Sequence, residues 1–169
     1  YYKFLAFFNN TRDEDSYGDY PLLRSFNDTL QGELDSLIIW MKKNTSPQQT
    51  KEAYTFLKTW QPAYNSLLCD SFTNSELIDT KWAGFRNNST CRLKNVELTG
   101  KDLLILRYAT WANGGTLKIF ADKPDGDLLG TYTFGKQTKQ WDFKPIPIKP
   151  TNGFHNLYFT YTNSNLKTP

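Results

Sequence analysis

The residue pattern of this chain predicts a mainly β fold: an antiparallel, jelly-roll-like β-sandwich preceded by a short α-helical segment. Apolar residues recur at helical spacing only in the first third of the chain, up to Pro62. After Pro62, short β-rich runs alternate with turn residues, and no helical pattern separates them. Six or more such runs in succession are typical of an antiparallel sandwich.

The helical segment, residues 1–62, is expected to be the end of a preceding domain. Residues 2–8 suit a short first helix. A second helix is expected after an N-cap at Asn27 or Asp28, with apolar residues at helical spacing: Leu30, Leu34, Leu37, Ile38 and Met41. A capping box at residues 46–49 begins a third helix, which Pro62 ends.

Residues 63–169 are expected to form the sandwich domain. The predicted strands are 92–98, 103–108, 116–121, 128–134, 141–148 and 157–162. The run 103–108 is almost continuously apolar, which favours a central strand. Glycine-containing turns separate the later runs at 113–115, 124–126 and 152–153.

Composition and charge exclude several classes of protein. The net charge is only +3, and Lys42-Lys43 is the one adjacent basic pair, so we expect no nucleic-acid partner. No run of about 18 apolar residues is present, so we expect no membrane span. The chain begins at Tyr1 without a start methionine or a signal-like pattern, and we expect it to be a piece of a longer protein.

No pattern of residues indicates a catalytic centre or a metal site. The chain has one histidine, His155, and lacks the nucleophile-elbow, P-loop and zinc-protease motifs. The carboxylates of residues 13–15, Asp122 and Asp125 lie in turn-like segments, whereas a glycosidase pair must flank a bond in a formed cleft. We therefore expect no enzymatic activity.

Aromatic residues make up 16% of the chain, including five tryptophans and ten tyrosines, in a sequence with mean hydropathy −0.61. Some of these rings must lie near the surface. Exposed rings suit stacking against sugars, bases or another protein, although Tyr and Trp also serve as amphipathic core residues.

Four motifs occur in the order and spacing of a known family. They are Arg-Tyr-Ala at 107–109 followed by Gly-Gly-Thr at 114–116, an Asp-to-Leu-Gly-Thr segment at 122–131, Thr-Lys-Gln-Trp at 138–141, and Gly-Phe-His-Asn-Leu-Tyr-Phe at 153–159. Together they resemble the family 6 carbohydrate-binding modules, which are β-sandwiches. The Gly-Asp-Trp turn of that family is replaced here by Asn-Ser-Thr at 88–90. We expect a turn at residues 87–90.

The resemblance implies a set of sugar-binding residues. Trp141 is the expected stacking platform, with a core position as the alternative. Trp82 and Phe85 lie near the place of the family's second stacking ring, and Trp111 is either a sugar contact or an interdomain contact. The family's hydroxyl-binding asparagine corresponds to Asn163 or Asn165. No final strand follows these asparagines in the sequence, so a structural calcium ion and other cofactors are not expected.

A second, shorter resemblance concerns the N-terminus. The motif Tyr-x-x-Leu-Ala-Phe-Phe-Asn-Asn-Thr at 2–11 is similar to the end of the helical domain of planctomycete-type cytochrome c proteins, although no haem is expected because a Cys-x-x-Cys-His motif is absent.

These resemblances imply a function and a location. The expected function is non-catalytic binding of a polysaccharide or oligosaccharide by one module of a larger extracellular or periplasmic protein. The alternative is a structural sandwich that contacts neighbouring domains of a cytochrome c-like parent and binds no sugar.

Cys69 and Cys91 are the only cysteines and are either two buried thiols or a disulfide. A secreted parent implies an oxidising compartment, so the prediction is a disulfide between the lead-in segment and an early strand.

Overall fold

The structure is a computed structural model that describes residues 24–59, 64–79 and 82–166. The chain forms two compact units, Tyr1–Ala63 and Tyr64–Pro169. The first expected helix, the stretch similar to cytochrome c proteins and Pro62 lie outside the described residues. Within the described ranges, no helix is long and apolar enough to cross a membrane.

The first unit contains two helices, α1 (Asp28–Asn44) and α2 (Pro47–Thr59). Asn27 caps α1, because its side-chain oxygen accepts a hydrogen bond from the Leu30 amide at 2.9 Å. The capping box of α2 is confirmed: the Gln49 amide donates to Ser46 Oγ at 3.2 Å, and the Ser46 amide donates to Gln49 Oε1 at 3.1 Å. Both helices therefore begin where local capping chemistry predicts.

Polar contacts join the two helices. Lys58 in α2 donates from Nζ to Gln31 Oε1 of α1 at 2.7 Å, and its ammonium group lies 4.8 Å from the centre of the Phe26 ring. In α1 only Leu34 is buried, whereas Leu30 and Leu37 are largely exposed. The expected apolar stripe is thus only partly covered by the described residues.

The second unit is an antiparallel β-sandwich, as predicted. A 3₁₀ turn at Ser66–Leu68 precedes β1 (Cys69–Ile78), β2 (Trp82–Glu97), β3 (Leu103–Tyr108), β4 (Thr116–Ala121), β5 (Asp127–Thr133), β6 (Asp142–Pro147) and β7 (Phe154–Thr162). One sheet has five strands in the order β1-β2-β7-β4-β5, and the other consists of β3 and β6. All pairings are antiparallel.

The core lies between the two sheets and consists of alternate aliphatic residues. Ile119 and Ile146, one from each sheet, are almost completely buried. The sheets approach closely at Gly130, where a Cβ atom would lie 2.9 Å from the carbonyl oxygen of Pro147. The other buried members are Leu93, Val96, Leu98, Leu117, Ala121, Leu129, Ile148, Leu157 and Tyr161.

The expected turn at residues 87–90 is wrong, because β2 continues through these residues. Ser89 pairs with Tyr161 of β7, and Thr90 pairs with Thr73 of β1. Asn88 has φ of 53°, a left-handed conformation that asparagine tolerates better than most residues. The asparagines therefore bend a strand that is paired on both sides instead of ending it.

The expectation of a central strand at 103–108 is also wrong, although the bounds of β3 are as predicted. Among the described residues β3 pairs only with β6. Leu104 and Leu106 pack against the core, whereas Leu103 and Ile105 are about half exposed. A continuous apolar run is therefore buried on one face only.

Candidate functional site

Sheet topology brings most of the sequence-predicted site residues to one end of the sandwich. This loop end is formed by the connections 109–115 and 134–141, residues 163–166 after β7, and the part of the β1–β2 hairpin that extends beyond Ser89. The opposite turn end is formed by the connections 98–102, 122–126 and 148–153.

Glycine allows the β3–β4 connection to pass close to the core. Gly114 and Gly115 have φ of 73° and 100°. A Cβ atom on Gly115 would lie 2.3 Å from the hydroxyl oxygen of Tyr161, which is a buried residue. Only glycine combines this backbone conformation with this approach.

Backbone hydrogen bonds join the two long connections of the loop end. The carbonyl oxygen of Thr110 accepts from the amides of Thr138 and Lys139 at 3.0 and 3.1 Å. The Thr110 amide donates to Thr138 Oγ1 at 3.0 Å, and the Gly114 amide donates to the Gly135 carbonyl at 2.7 Å. The segment that leads to Trp141 is therefore held in place before any ligand arrives.

Asn163 is buried beneath these connections, with 3% of its surface exposed. Its Nδ2 group lies within hydrogen-bond distance of the carbonyls of Asn113 and Gly114, at 3.1 and 3.2 Å, and of the Tyr161 hydroxyl, at 2.9 Å. Its Oδ1 atom accepts from the Asn165 amide at 3.0 Å. The side chain of Asn163 thus positions the loop, and Asn165 is the exposed member of the pair.

A groove of about 500 Å³ lies beside Asn165. Its lining includes Asn87, Asn88, Thr116 and Ser164. Amide and hydroxyl groups both donate and accept hydrogen bonds, as sugar hydroxyls do. The groove can therefore bind a polar, uncharged group.

Trp82 and Trp141 are in direct contact, with ring centres 4.3 Å apart and planes tilted by 36°. The Arg107 guanidinium carbon lies 4.5 Å from the Trp141 centre and 5.3 Å from the Trp82 centre. If Trp82 and Arg107 covered opposite faces of Trp141, the Arg107 guanidinium carbon would lie much farther than 5.3 Å from the Trp82 centre. Because they do not, one face of Trp141 is left uncovered by both, and 40% of the residue is exposed.

The two remaining aromatic candidates have different environments. Trp111 lies in the β3–β4 connection and is 72% exposed. Phe85 packs against the core, with its ring 6.3 Å from Tyr161 in an edge-to-face contact. Trp82, Trp111 and Trp141 thus belong to the loop-end surface, and Phe85 supports it from inside.

The carboxylate that follows Trp141 in the chain, Asp142, is compensated by its neighbours. Asp142 accepts from its neighbour's amide at 2.8 Å and lies 3.3 Å from Lys144, and these contacts hold the pKa of Asp142 below its usual range. Burial, together with hydrogen bonds to Tyr132 and Asp142, raises the pKa of Tyr108. Asp142 is therefore ionised and Tyr108 neutral at neutral pH.

The sequence did not predict that Arg107 contacts the tryptophan pair or that Asn87 and Asn88 line a groove. Arg107 belongs to a strand motif of the sequence, and in the structure it contacts Trp82, Trp141 and Phe143. An arginine in an otherwise apolar strand was the available signal, because a partly buried cation requires partners. Asn87 and Asn88 carried no comparable signal.

Cys69 and Cys91 lie on one face of the β1–β2 pair, close to the Cys69–Leu93 register position. Both are free thiols in the structure, and their side chains are hydrogen-bonded to each other. This bond and burial raise the pKa of Cys91, while the bond lowers the pKa of Cys69. The disulfide stays a prediction.

No three His, Cys, Asp or Glu side chains in the described part of the chain cluster closely enough to hold a metal ion. His155, at the turn end, is instead bonded to Asp122 and to the carbonyl of Asn152.

The sandwich is similar to solved family 6 carbohydrate-binding modules. One, whose binding subsites were dissected by crystallography and calorimetry, has a TM-score of 0.53 at 17% identity, covering 59% of this chain and 83% of that one. A β-1,3-glucan-binding module from Bacillus halodurans has a TM-score of 0.51 at 16% identity, covering 60% and 83%. A Clostridium stercorarium module in complex with cellobiose has a TM-score of 0.50 at 22% identity, covering 59% and 83%.

No protein-family model and no curated protein sequence matches the chain. The likeness to solved structures establishes a fold like that of the family 6 carbohydrate-binding modules.

Proposed function

We propose that this chain contains a non-catalytic carbohydrate-binding module, which binds a polysaccharide or oligosaccharide at the loop end. The observation that carries the proposal is the exposed Trp141 ring, which Trp82 and Arg107 contact without covering both of its faces. The module is part of a larger extracellular or periplasmic protein that it tethers to glycan.

Trp141 is the stacking platform in this proposal. An aromatic ring binds the C–H face of a sugar when the ring is both exposed and fixed in orientation. The backbone bonds from Thr110 to Thr138 and Lys139 fix the segment before Trp141, and the contact with Trp82 fixes the ring itself. Little side-chain entropy is lost on binding, because the platform is ordered beforehand.

Polar contacts to the sugar hydroxyls come from the asparagine side of the loop end. Asn165 is exposed and borders the groove with Asn87 and Asn88, while buried Asn163 holds the loop in position. Trp111 extends the binding surface along the β3–β4 connection. These groups bind and do not catalyse, since hydrolysis of a glycosidic bond requires two carboxylates across a cleft.

A structural sandwich without sugar binding is the second candidate, and one observation favours it. The 4.3 Å contact between Trp82 and Trp141 leaves no space for a sugar ring between them. In that case Trp111 and Trp141 contact a neighbouring domain of the parent protein.

Affinity electrophoresis of the chain in a panel of neutral, carboxylated and sulfated polysaccharides tests the proposal. We expect retardation in at least one glycan and a loss of about 1–3 kcal/mol of binding free energy in Trp141→Ala, the contribution of one stacking ring. The matched control is Trp40→Ala, which removes an exposed tryptophan of the helical unit. Absence of retardation in every glycan favours the structural sandwich.

A further inference from the structure

The loop end carries positive charge in the segments that hold the proposed platform. Residues 109–115, 134–141 and 163–166 contain Lys136 and Lys139 and no aspartate or glutamate. Both lysines are exposed, and neither forms an ion pair with any described residue.

Neighbouring carboxylates cancel at most part of this charge. Asp142 is paired with Lys144 at 3.3 Å, and Glu76 of the β1–β2 hairpin is paired with Arg86. Asp79, in the turn of that hairpin, is the remaining described carboxylate of the loop end.

The backbone of the lysine-bearing segment is fixed relative to Trp141. Lys139 has φ of 57°, a left-handed conformation that is unusual for a lysine, and its amide is bonded to the Thr110 carbonyl at 3.1 Å. Next to Lys136, the Gln137 amide donates to Asn113 Oδ1 at 3.0 Å. Lys139 is therefore held two residues from the stacking ring.

We infer that the glycan bound at the loop end is acidic and carries carboxylate or sulfate groups, which Lys136 and Lys139 bind while a sugar ring stacks on Trp141. This inference rests on the proposed function and specifies its ligand. The charge matters because exposed lysines next to a binding surface attract a polyanion and lose part of that attraction when salt screens it.

Titration of the full chain with paired polysaccharides tests the inference. Polygalacturonate is compared with its methyl-esterified form for carboxylate, and dextran sulfate with dextran for sulfate. We expect at least one acidic polysaccharide to bind with an affinity about tenfold or more above that of its neutral partner. We expect this difference in affinity to become smaller as the salt concentration is raised.

Two double variants, each of which removes two positive charges, distinguish binding at the loop end from attraction by the overall charge of the chain. Lys136→Gln with Lys139→Gln is expected to remove most of the acidic preference. Lys123→Gln with Lys149→Gln, which removes two lysines of the turn end, is expected to leave it unchanged. Thermal unfolding confirms that both variants are folded.

Three results overturn the inference. The first is equal affinity for the acidic and the neutral polysaccharide of each pair. If Trp141→Ala still weakens binding in that case, the proposed function is not affected. Equal losses in the two double variants indicate attraction by net charge alone. Equally tight binding of duplex DNA, lost in Lys136→Gln with Lys139→Gln, indicates a general polyanion surface.

Discussion

The two ends of the sandwich are built from different residues. Residues 109–115, 134–141 and 163–166 of the loop end contain tryptophans, asparagines and lysines and no carboxylate, whereas the connections of the turn end contain Asp102, Asp122 and Asp125 beside three lysines. At the turn end the polar groups bind each other: Asp122 is bonded to His155 at 2.8 Å and to the Asn156 amide at 3.1 Å. The charged side chains differ most: Asp122 and His155 are paired at the turn end, whereas Lys136 and Lys139 at the loop end form no ion pair with a described residue.

This difference has a structural basis. The loop end is held from inside by Asn163 and by a chain of edge-to-face contacts among Tyr161, Phe134, Tyr132 and Tyr108. Buried groups therefore provide much of its support, and exposed Asn113 adds one hydrogen bond from the Gln137 amide. At the turn end the exposed side chains themselves hold the connections together, which leaves fewer of them available to a ligand.

The largest expected effect tests whether the loop end is the more tightly packed of the two. Gly115→Ala should destabilise the sandwich by about 3 kcal/mol, because the new Cβ requires both an unfavourable φ and a shift of Tyr161. Gly153→Ala at the turn end is the matched control. Gly153 has a similar φ of 96° but nothing within 4 Å of a new Cβ, so about 1–2 kcal/mol is expected. Urea unfolding measures both, and equal losses would contradict the comparison.

The predicted disulfide lies at neither end and would stabilise both. Closing the loop between Cys69 and Cys91 should contribute about 3 kcal/mol in the chain-entropy model. Thiol titration of the unfolded, unreduced protein is expected to find no free thiol. Two reactive thiols per chain would show that the prediction is wrong and would weaken the case for an extracellular location.

The next expected effect separates support of the loop end from contact with the ligand. Asn163→Ala should cost about 2 kcal/mol of stability, because it leaves the Asn113 and Gly114 carbonyls and the Tyr161 hydroxyl without this donor. Asn165→Ala should cost less than about 1 kcal/mol of stability and instead reduce glycan affinity. Thermal unfolding and affinity electrophoresis of both variants decide between these roles.

The smallest expected effect concerns pH and is confined to the turn end. Both ring nitrogens of His155 face oxygens, Asp122 Oδ2 at 2.8 Å and the Asn152 carbonyl at 3.0 Å, an arrangement that favours the doubly protonated ring. These bonds raise the pKa of His155, and the His155 contact lowers the pKa of Asp122.

A raised histidine pKa contributes stability that is fully present below about pH 6.5, the unfolded value, and is lost as pH rises through the folded pKa. The lowered pKa of Asp122 contributes stability that is present above about pH 4 and is lost as pH falls further. His155→Gln should therefore destabilise the protein more at pH 5.5 than at pH 8.5. We expect a difference below about 1 kcal/mol, since Asp122 is half exposed. A loss that is independent of pH would show that the ring is neutral.

Local patterns predicted much of the sandwich. The bounds of β3 and β4 are as predicted, because an apolar run (β3) and apolar alternation (β4) bounded by turn residues are short-range signals. The first strand, Cys69–Ile78, was not predicted, since it contains mainly polar residues and is an edge strand with one partner. Its strand conformation depends on pairing with β2, which the local sequence does not reveal.

What the sequence by itself determined was therefore the change from helices to strands, the order of the strands from β3 onward, the capping of α1 and α2, and the presence of surplus aromatic rings. Tertiary structure alone decided which rings meet: Trp82 and Trp141 are 59 positions apart in the chain, yet their centres are 4.3 Å apart, with Arg107 beside them. It also decided that Asn163 is buried and Asn165 exposed, although both asparagines follow the same strand. The physical reason is that capping and alternation act between residues near in sequence, whereas ring contacts and burial depend on how distant strands pair and how the two sheets pack.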